Sequence, residues 1–214
     1  IPLLKRSEVL ALIAASKKTI AVGGTSGKST TSAMLFEILE YAGMQPSIIS
    51  GAGLTRIIKE GKIGNAKVGT GDWLVIEADE RDGSIVQYVP EIGLLLNIDK
   101  DHKEVDALME IFTTFKKNTK QLFIVNQSHA LAKSLSQNIR QDFSADPASE
   151  AGYIAANFKQ DGLTIHFTIN GVDFTLHTVG KHNMENALAA TAVAHQCGVD
   201  LNTCAASLEQ YEGI

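Results

Sequence analysis

Two cysteines in 214 residues, Cys197 and Cys204, exclude a disulfide framework as the source of this protein's stability. None is needed, because a chain of this length buries roughly 70% of the surface that its unfolded form exposes. No apolar run approaches the roughly 20 residues of a membrane span, and no charged-then-apolar leader opens the chain. We therefore expect no membrane insertion and a cytoplasmic location. Long Lys/Arg runs are absent too. With 19 Lys+Arg against 24 Asp+Glu, a formal charge of -5, nothing electrostatic favours a nucleic acid or an anionic membrane as partner. Small anionic ligands remain open, since a local loop can hold phosphate whatever the net charge. Internal repeats and low-complexity stretches are lacking. The length reads as one large domain, or one domain with a small appendage, and because the first residue is Ile1 and not Met, a trimmed fragment of a longer protein is expected.

What is present alternates. Thr19 to Gly23, Ser47 to Ser50, Trp73 to Ala78, Ile92 to Ile98 and Gln121 to Val125 read as strands, several apolar on both faces as buried parallel strands are. Lys28 to Tyr41, Val105 to Lys117 and Ala130 to Asn138 carry helix-length patterns between them. Residues 51 to 71 hold six glycines and read as a long surface loop, with at most a short strand. After Pro147 the period changes to strict alternation over Tyr153 to Lys159, Leu163 to Ile169 and Val172 to Leu176, with a hairpin turn at Asn170-Gly171. From Asn183 the chain returns to helix, stops at Gly198 and starts a second short helix at Asn202. The expected class is α/β: a P-loop-type parallel sheet covered by helices, with residues 148–180 as a small antiparallel β meander appended to it.

The strongest chemical signal is Thr19-Ile-Ala-Val-Gly-Gly-Thr-Ser-Gly-Lys-Ser-Thr-Thr31, an apolar strand entering a glycine-rich turn that opens a helix at Lys28. Gly23, Gly24 and Gly27 let the backbone approach an anion, so that N–H groups of Gly24, Thr25, Ser26, Gly27, Lys28, Ser29 and Thr30 can face phosphate. Lys28 can reach the outer phosphates, and the Ser29 hydroxyl can ligate Mg²⁺. The usual Gly-x-x-x-x-Gly-Lys-Ser/Thr pattern is incomplete, because its first glycine would fall at Val22. A turn that binds nothing is the alternative; Lys and Ser in register argue against it. Glu77 ends an apolar strand, where a parallel sheet places ligand-binding residues, and a carboxylate there needs a cation. Glu80 and Asp82 read as part of a solvated acidic face.

The loop, together with Glu77-Ala-Asp-Glu-Arg-Asp-Gly-Ser84, Asn97-Ile-Asp-Lys-Asp-His102 and Gly180-Lys-His-Asn-Met-Glu-Asn-Ala187, resembles the Mur ligase family and its folylpolyglutamate synthetase relatives. The four motifs occur in order and cover the chain from about Ile1 to its end. The resemblance implies the central, ATP-binding domain, with residues 1–17 as the lead-in from an amino-terminal domain and a carboxyl-terminal domain to follow. It further implies ATP and Mg²⁺ as cofactors, Glu77 as a metal ligand, and Lys28, Glu77 and His102 as the catalytic set. His102 is assigned to a second Mg²⁺ or to an outer-shell hydrogen bond on it. His182, Asn183 and Asn186 fall in the fourth motif. Asn amides can read an adenine edge, and adenine contact is expected for at least one, although Asn183 could instead cap the helix. Lys116 and Lys117 lie near the position of the family's carbamylated lysine but are read as solvent-facing. His129, His166, His177 and His195 are read as exposed or satisfied.

Within the family, the Glu-Ala-Asp-Glu stretch and the opening Ile1-Pro2 with Lys5-Arg6-Ser-Glu-Val-Leu10 most resemble the branch that joins L-alanine to UDP-N-acetylmuramate through an acyl phosphate. Departures are Ser26 in place of His, Ile85 in place of Phe, and Lys103-Glu104 after His102. UDP-N-acetylmuramate and L-alanine would be held by flanking domains, so these 214 residues alone are expected to be inactive. Competing readings are a murein peptide recycling ligase, a folylpolyglutamate or cyanophycin synthetase, a non-catalytic ATP-binding module and an unrelated P-loop ATPase.

Overall fold

The computed structural model describes residues 3–4, 6–81, 83–99 and 105–214. Six strands make the larger sheet: β1 (Lys18–Gly23), β2 (Ser47–Ile49), β3 (Ala66–Lys67), β4 (Trp73–Glu77), β5 (Ile92–Leu95) and β6 (Leu122–Val125). Their order is β3-β2-β4-β1-β5-β6, parallel throughout except for the two-residue β3 at the edge. The pleat sends Ile20, Val22, Val75, Leu94 and Ile124 to one face, and Ala21, Leu74, Ile76, Leu95, Phe123 and Val125 to the other. Both faces are covered, which is why these strands read as unbroken apolar runs.

The helices are α1 (Arg6–Ala15), α2 (Lys28–Tyr41), α3 (Thr55–Lys59), α4 (Val105–Asn118), α5 (Ala130–Lys133), α6 (Lys181–Gln196) and α7 (Leu201–Glu209). Helices α1, α4 and α5 contribute to the second core, while α2, α6 and α7 build the first. Helix α2 runs between the sheet and α6 and α7, so nine successive residues from Thr31 to Leu39 are buried. No helix among the described residues is long and apolar enough to cross a membrane.

Residues 143–176 form a second sheet of β7 (Phe143–Ser144), β8 (Tyr153–Asp161), β9 (Thr164–Ile169) and β10 (Val172–Leu176), in the order β10-β9-β8-β7. The three long strands are the antiparallel meander, and Asn170 and Gly171 turn with φ of 48° and 83°, both left-handed as a two-residue hairpin loop requires. The meander is not appended to the parallel ladder. It is a separate sheet that adds β7 in parallel pairing with β8, and it packs on α6 and α7 through Phe167, Phe174 and Leu176. One isolated bridge, Asn126 to Phe143, joins it to the end of β6.

Three further boundaries differ from the expectation. Residues 51–71 contain α3 as well as β3, and two of their glycines serve close approach: a Cβ on Gly69 would stand 2.1 Å from Gln45 O, and one on Gly71 1.9 Å from Met44 O. Helix α5 stops at Lys133 because the N–H groups of Leu135 and Ser136 turn back to the carbonyls of Ala132 and Lys133. Helix α6 starts at Lys181 and ends where Gly198 N and Val199 N donate to His195 O and Ala194 O, with Gly198 at φ +95°.

Inside α2, Glu37 is 3% exposed and its Oε1 has no hydrogen-bond partner among the described residues. Burial pushes its carboxyl up from 4.5 to about 7. The neutral form is the one the fold accepts. The associated stability is therefore present below pH 4.5 and lost as pH rises through 7, a change of about 3 kcal/mol. Urea unfolding of Glu37→Gln should lose that slope, so that the variant gains on the wild type between pH 4.5 and 7.5. Parallel pH curves for the two proteins would contradict this.

Candidate functional site

The carboxyl ends of the five parallel strands meet along one edge, and each contributes a loop. After β1, the chain passes Gly24 at φ +141° and Gly27 at φ +82°, and Gly27 begins α2 without any side-chain cap. The first-turn N–H groups of α2 and the positive end of its dipole are thus left for a ligand. The loop is held from the β5 side. Thr25 N donates to Asn97 O (3.3 Å), Ser26 N to Asn97 Oδ1 (2.9 Å), and Asn97 Nδ2 back to Ser26 O (3.1 Å). The Thr25 hydroxyl donates to Asn97 Oδ1 (2.9 Å) and accepts from Asp99 N (2.9 Å).

Lys28 Nζ lies 2.6 Å from Gly24 O and 2.8 Å from Glu80 Oε2. Ser29 Oγ donates to Glu77 Oε2 (3.0 Å), while Glu77 Oε1 accepts from Ser50 Oγ and Gly51 N, both at 2.7 Å. The loops after β1, β2 and β4 therefore converge on the Glu77 carboxylate. Thr30 is half-buried in the first turn. From the far side of α2, Asn186 Oδ1 accepts from the Thr31 hydroxyl (3.2 Å) and fills the space beside Gly27, where an added Cβ would lie 2.6 Å from it.

The other residues of the fourth motif do less at the loop. Asn183 does not cap α6, whose N-cap is Gly180; its amide donates to Thr178 Oγ1 and Val179 O and so fastens the segment leading into the helix. His182 is exposed, folded against Gly180. His102 and Asp82 lie outside the described residues. Lys117 is exposed as expected, but Lys116 is half-buried with Nζ 3.5 Å from Ser136 O.

Glu80 corrects the reading of a solvated acidic face: it is 3% exposed. Its neighbours in sequence gave no sign of this, because nothing in an acidic cluster says which member turns inward. Ser50 and Gly51 were also missed, although the end of a parallel strand marks the right edge. His129, expected to be exposed or satisfied, is half-buried and only half satisfied: Nε2 lies 2.9 Å from Asp99 Oδ1 beside the loop that follows β5, while its buried Nδ1 has no hydrogen-bond partner among the described residues.

The donor set suits a polyphosphate with a hard cation. Ser29 and Glu77 place two oxygens together, and among the described residues no group of three or more His, Cys, Asp or Glu could hold a metal unaided. Such a site fits Mg²⁺, which takes few protein ligands and completes its shell with water and phosphate oxygens. The profile of the Mur ligase middle domain matches residues 22–194. The chain belongs to the Mur ligase middle-domain family.

Among relatives of this family, the chain is 35% identical to the UDP-N-acetylmuramate--L-alanine ligase of Nostoc punctiforme, over 99% of this chain and 44% of that protein. It is also 35% identical to the ligase of the same name from Syntrophomonas wolfei, over 100% of this chain and 48% of that one. The chain thus spans just under half the length of these curated relatives. Two solved structures share the fold. A UDP-N-acetylmuramate:L-alanyl-gamma-D-glutamyl-meso-diaminopimelate ligase from Neisseria meningitides superposes with a TM-score of 0.83 at 23% identity, over 100% of this chain and 72% of that one. The UDP-N-acetylmuramate-alanine ligase of Thermotoga maritima gives 0.81 at 24%, over 96% and 48%.

The contact between Gly27 and Asn186 makes a test. Gly27→Ala adds a Cβ in a left-handed residue and against Asn186 Oδ1, and should cost about 1–3 kcal/mol in urea unfolding. Removing the amide should recover part of that loss, so the Gly27→Ala/Asn186→Ala protein should be more stable than the sum of the single changes. Strict additivity would show that the two groups do not meet.

Proposed function

We propose that this chain is the nucleotide-binding part of a ligase that joins L-alanine to the carboxylate of UDP-N-acetylmuramate at the expense of ATP. The observation that carries the reading is the uncapped start of α2 with Lys28 beside it and the Ser29–Glu77 pair 3.0 Å apart. Identity of 35% with UDP-N-acetylmuramate--L-alanine ligases along nearly the whole chain supports the choice of substrates. ATP, when bound with Mg²⁺, supplies the phosphoryl group that turns a carboxylate into an acyl phosphate open to attack by an amine.

The chain's own part is positioning and charge. Backbone N–H groups of the loop and of the first turn of α2 hold the phosphate chain, except those of Thr25 and Ser26, which were expected to face phosphate but are bonded to Asn97 and brace the loop, and the Lys28 ammonium neutralises its outer oxygens. Ser29 and Glu77 hold Mg²⁺, with His102 on a second ion or in its outer shell. Of the fourth motif, we place Asn186 nearest the nucleotide, because it already borders Gly27, and assign to His182 and Asn183 a secondary part in adenine contact. The UDP-sugar and the amine are assigned to other parts of the longer enzyme, in keeping with the chain's share of its relatives.

Two measurements test this. In calorimetry, the 214-residue chain should bind Mg-ATP, and Lys28→Ala should lose at least about 2 kcal/mol of affinity, a charge-assisted contact. Unchanged affinity in that variant would sink the reading. Glu77→Ala should reduce the gain in ATP affinity that Mg²⁺ provides while leaving Mg²⁺-free binding near the wild-type value, whereas a purely structural Glu77 would alter neither selectively.

A further inference from the structure

Glu80 is almost as buried as the core, and its charge has the wrong sign for a neighbour of a phosphate site. Its side chain is 4% exposed and that of its partner Lys28 is 11% exposed. Arg81 adds a second cation, Nε 3.7 Å from Glu80 Oε1, but from a side chain 57% exposed. A carboxylate desolvated to this degree is tolerable only when paired, and Lys28 is the buried half of the pairing. The same ammonium also donates to Gly24 O at 2.6 Å. An ammonium has three N–H donors. Lys28 has committed two of them, one to the backbone of the phosphate loop and one to Glu80.

We propose that Glu80 is a positioning residue: it grips the Lys28 ammonium within the loop and shares it with the bound polyphosphate, at the cost of affinity for that polyphosphate. The inference rests on the nucleotide-binding reading above and deepens it. A lysine stem has four rotatable carbons, and a phosphate loop gains from having its cation already in place when the anion arrives. Glu80 and Gly24 O supply that order and leave one N–H for phosphate. The same grip has a cost. In a site shielded from water the carboxylate competes for the ammonium and repels the incoming anion, so a loop with an ungripped lysine binds more tightly.

The test uses the 214-residue chain with two probes, Mg-ATP and Mg²⁺-free inorganic triphosphate. Glu80→Gln keeps the volume and an acceptor oxygen but removes the charge. It should bind both probes roughly 5-fold more tightly or better, and ¹⁵N relaxation should show the Lys28 ammonium more mobile than in the wild type. Should Glu80→Gln fail to fold, Glu80→Asp serves: it keeps the charge on a shorter stem, and should show the same loosening with a smaller gain in affinity. Affinity that is unchanged or weaker overturns the proposal, as it would if Glu80 only supported the fold. Tighter binding with an equally restrained Lys28 also overturns it, since the charge would then act on the phosphate directly. Lys28→Ala separates the two levels. If that variant keeps its affinity, the nucleotide reading itself fails; if it loses affinity while Glu80→Gln gains none, only the role of Glu80 fails.

Discussion

Helix α2 approaches α6 so closely at Gly27 that Asn186 Oδ1 occupies the place of a side chain, and the rest of the site is built around that contact. Because the helix is fixed there, its first turn opens at the carboxyl edge of β1 with Lys28 and Ser29 facing the loops after β4. Dense packing underneath makes the position rigid: α2 is buried from Thr31 to Leu39 between the sheet and α6 and α7. A glycine at the join satisfies two demands at once, a left-handed turn and the absence of a Cβ.

Around this fixed point the polar groups are distributed by charge. Two buried carboxyl groups, those of Glu80 and Glu37, are held in opposite ways. Glu80, in the loop after β4, is paired with Lys28, whereas Glu37 lies deep in α2 with an oxygen unpartnered among the described residues and a carboxyl pushed up to about 7. Glu77 stands between these extremes, half-buried and accepting from three donors, Ser29 at the start of α2 and Ser50 and Gly51 after β2. A carboxylate so supplied with hydrogen bonds has its orientation fixed by the fold.

The fold was largely legible because its signals are local. Helix α2 runs from Lys28 to Tyr41 as the pattern predicts, and the hairpin at Asn170-Gly171 follows from turn chemistry that needs only two residues. Legibility failed where length is set by tertiary partners. The Ala130 to Asn138 pattern yields one turn of helix, because Ser136 turns to Asp142 and not onward. Residues 51–71, rich in glycine, are ordered by the backbone of Met44 and Gln45 pressing on Gly71 and Gly69, a contact no window of sequence contains.

The sequence by itself determined the glycine-rich turn after β1, the order of the four motifs and the alternation of strands and helices, since each is written in neighbouring residues whose chemistry acts over one or two turns. Only the tertiary structure decided which acids turn inward. Glu77 and Glu80 are three residues apart in one acidic stretch with Asp79 between them, yet one meets Ser29, Ser50 and Gly51 and the other meets Lys28. Their separate tasks come from the loops that the crossovers bring to the sheet edge, at sequence distances of 26 to 52 residues. Burial is a property of what arrives from elsewhere in the chain, and no local pattern encodes it.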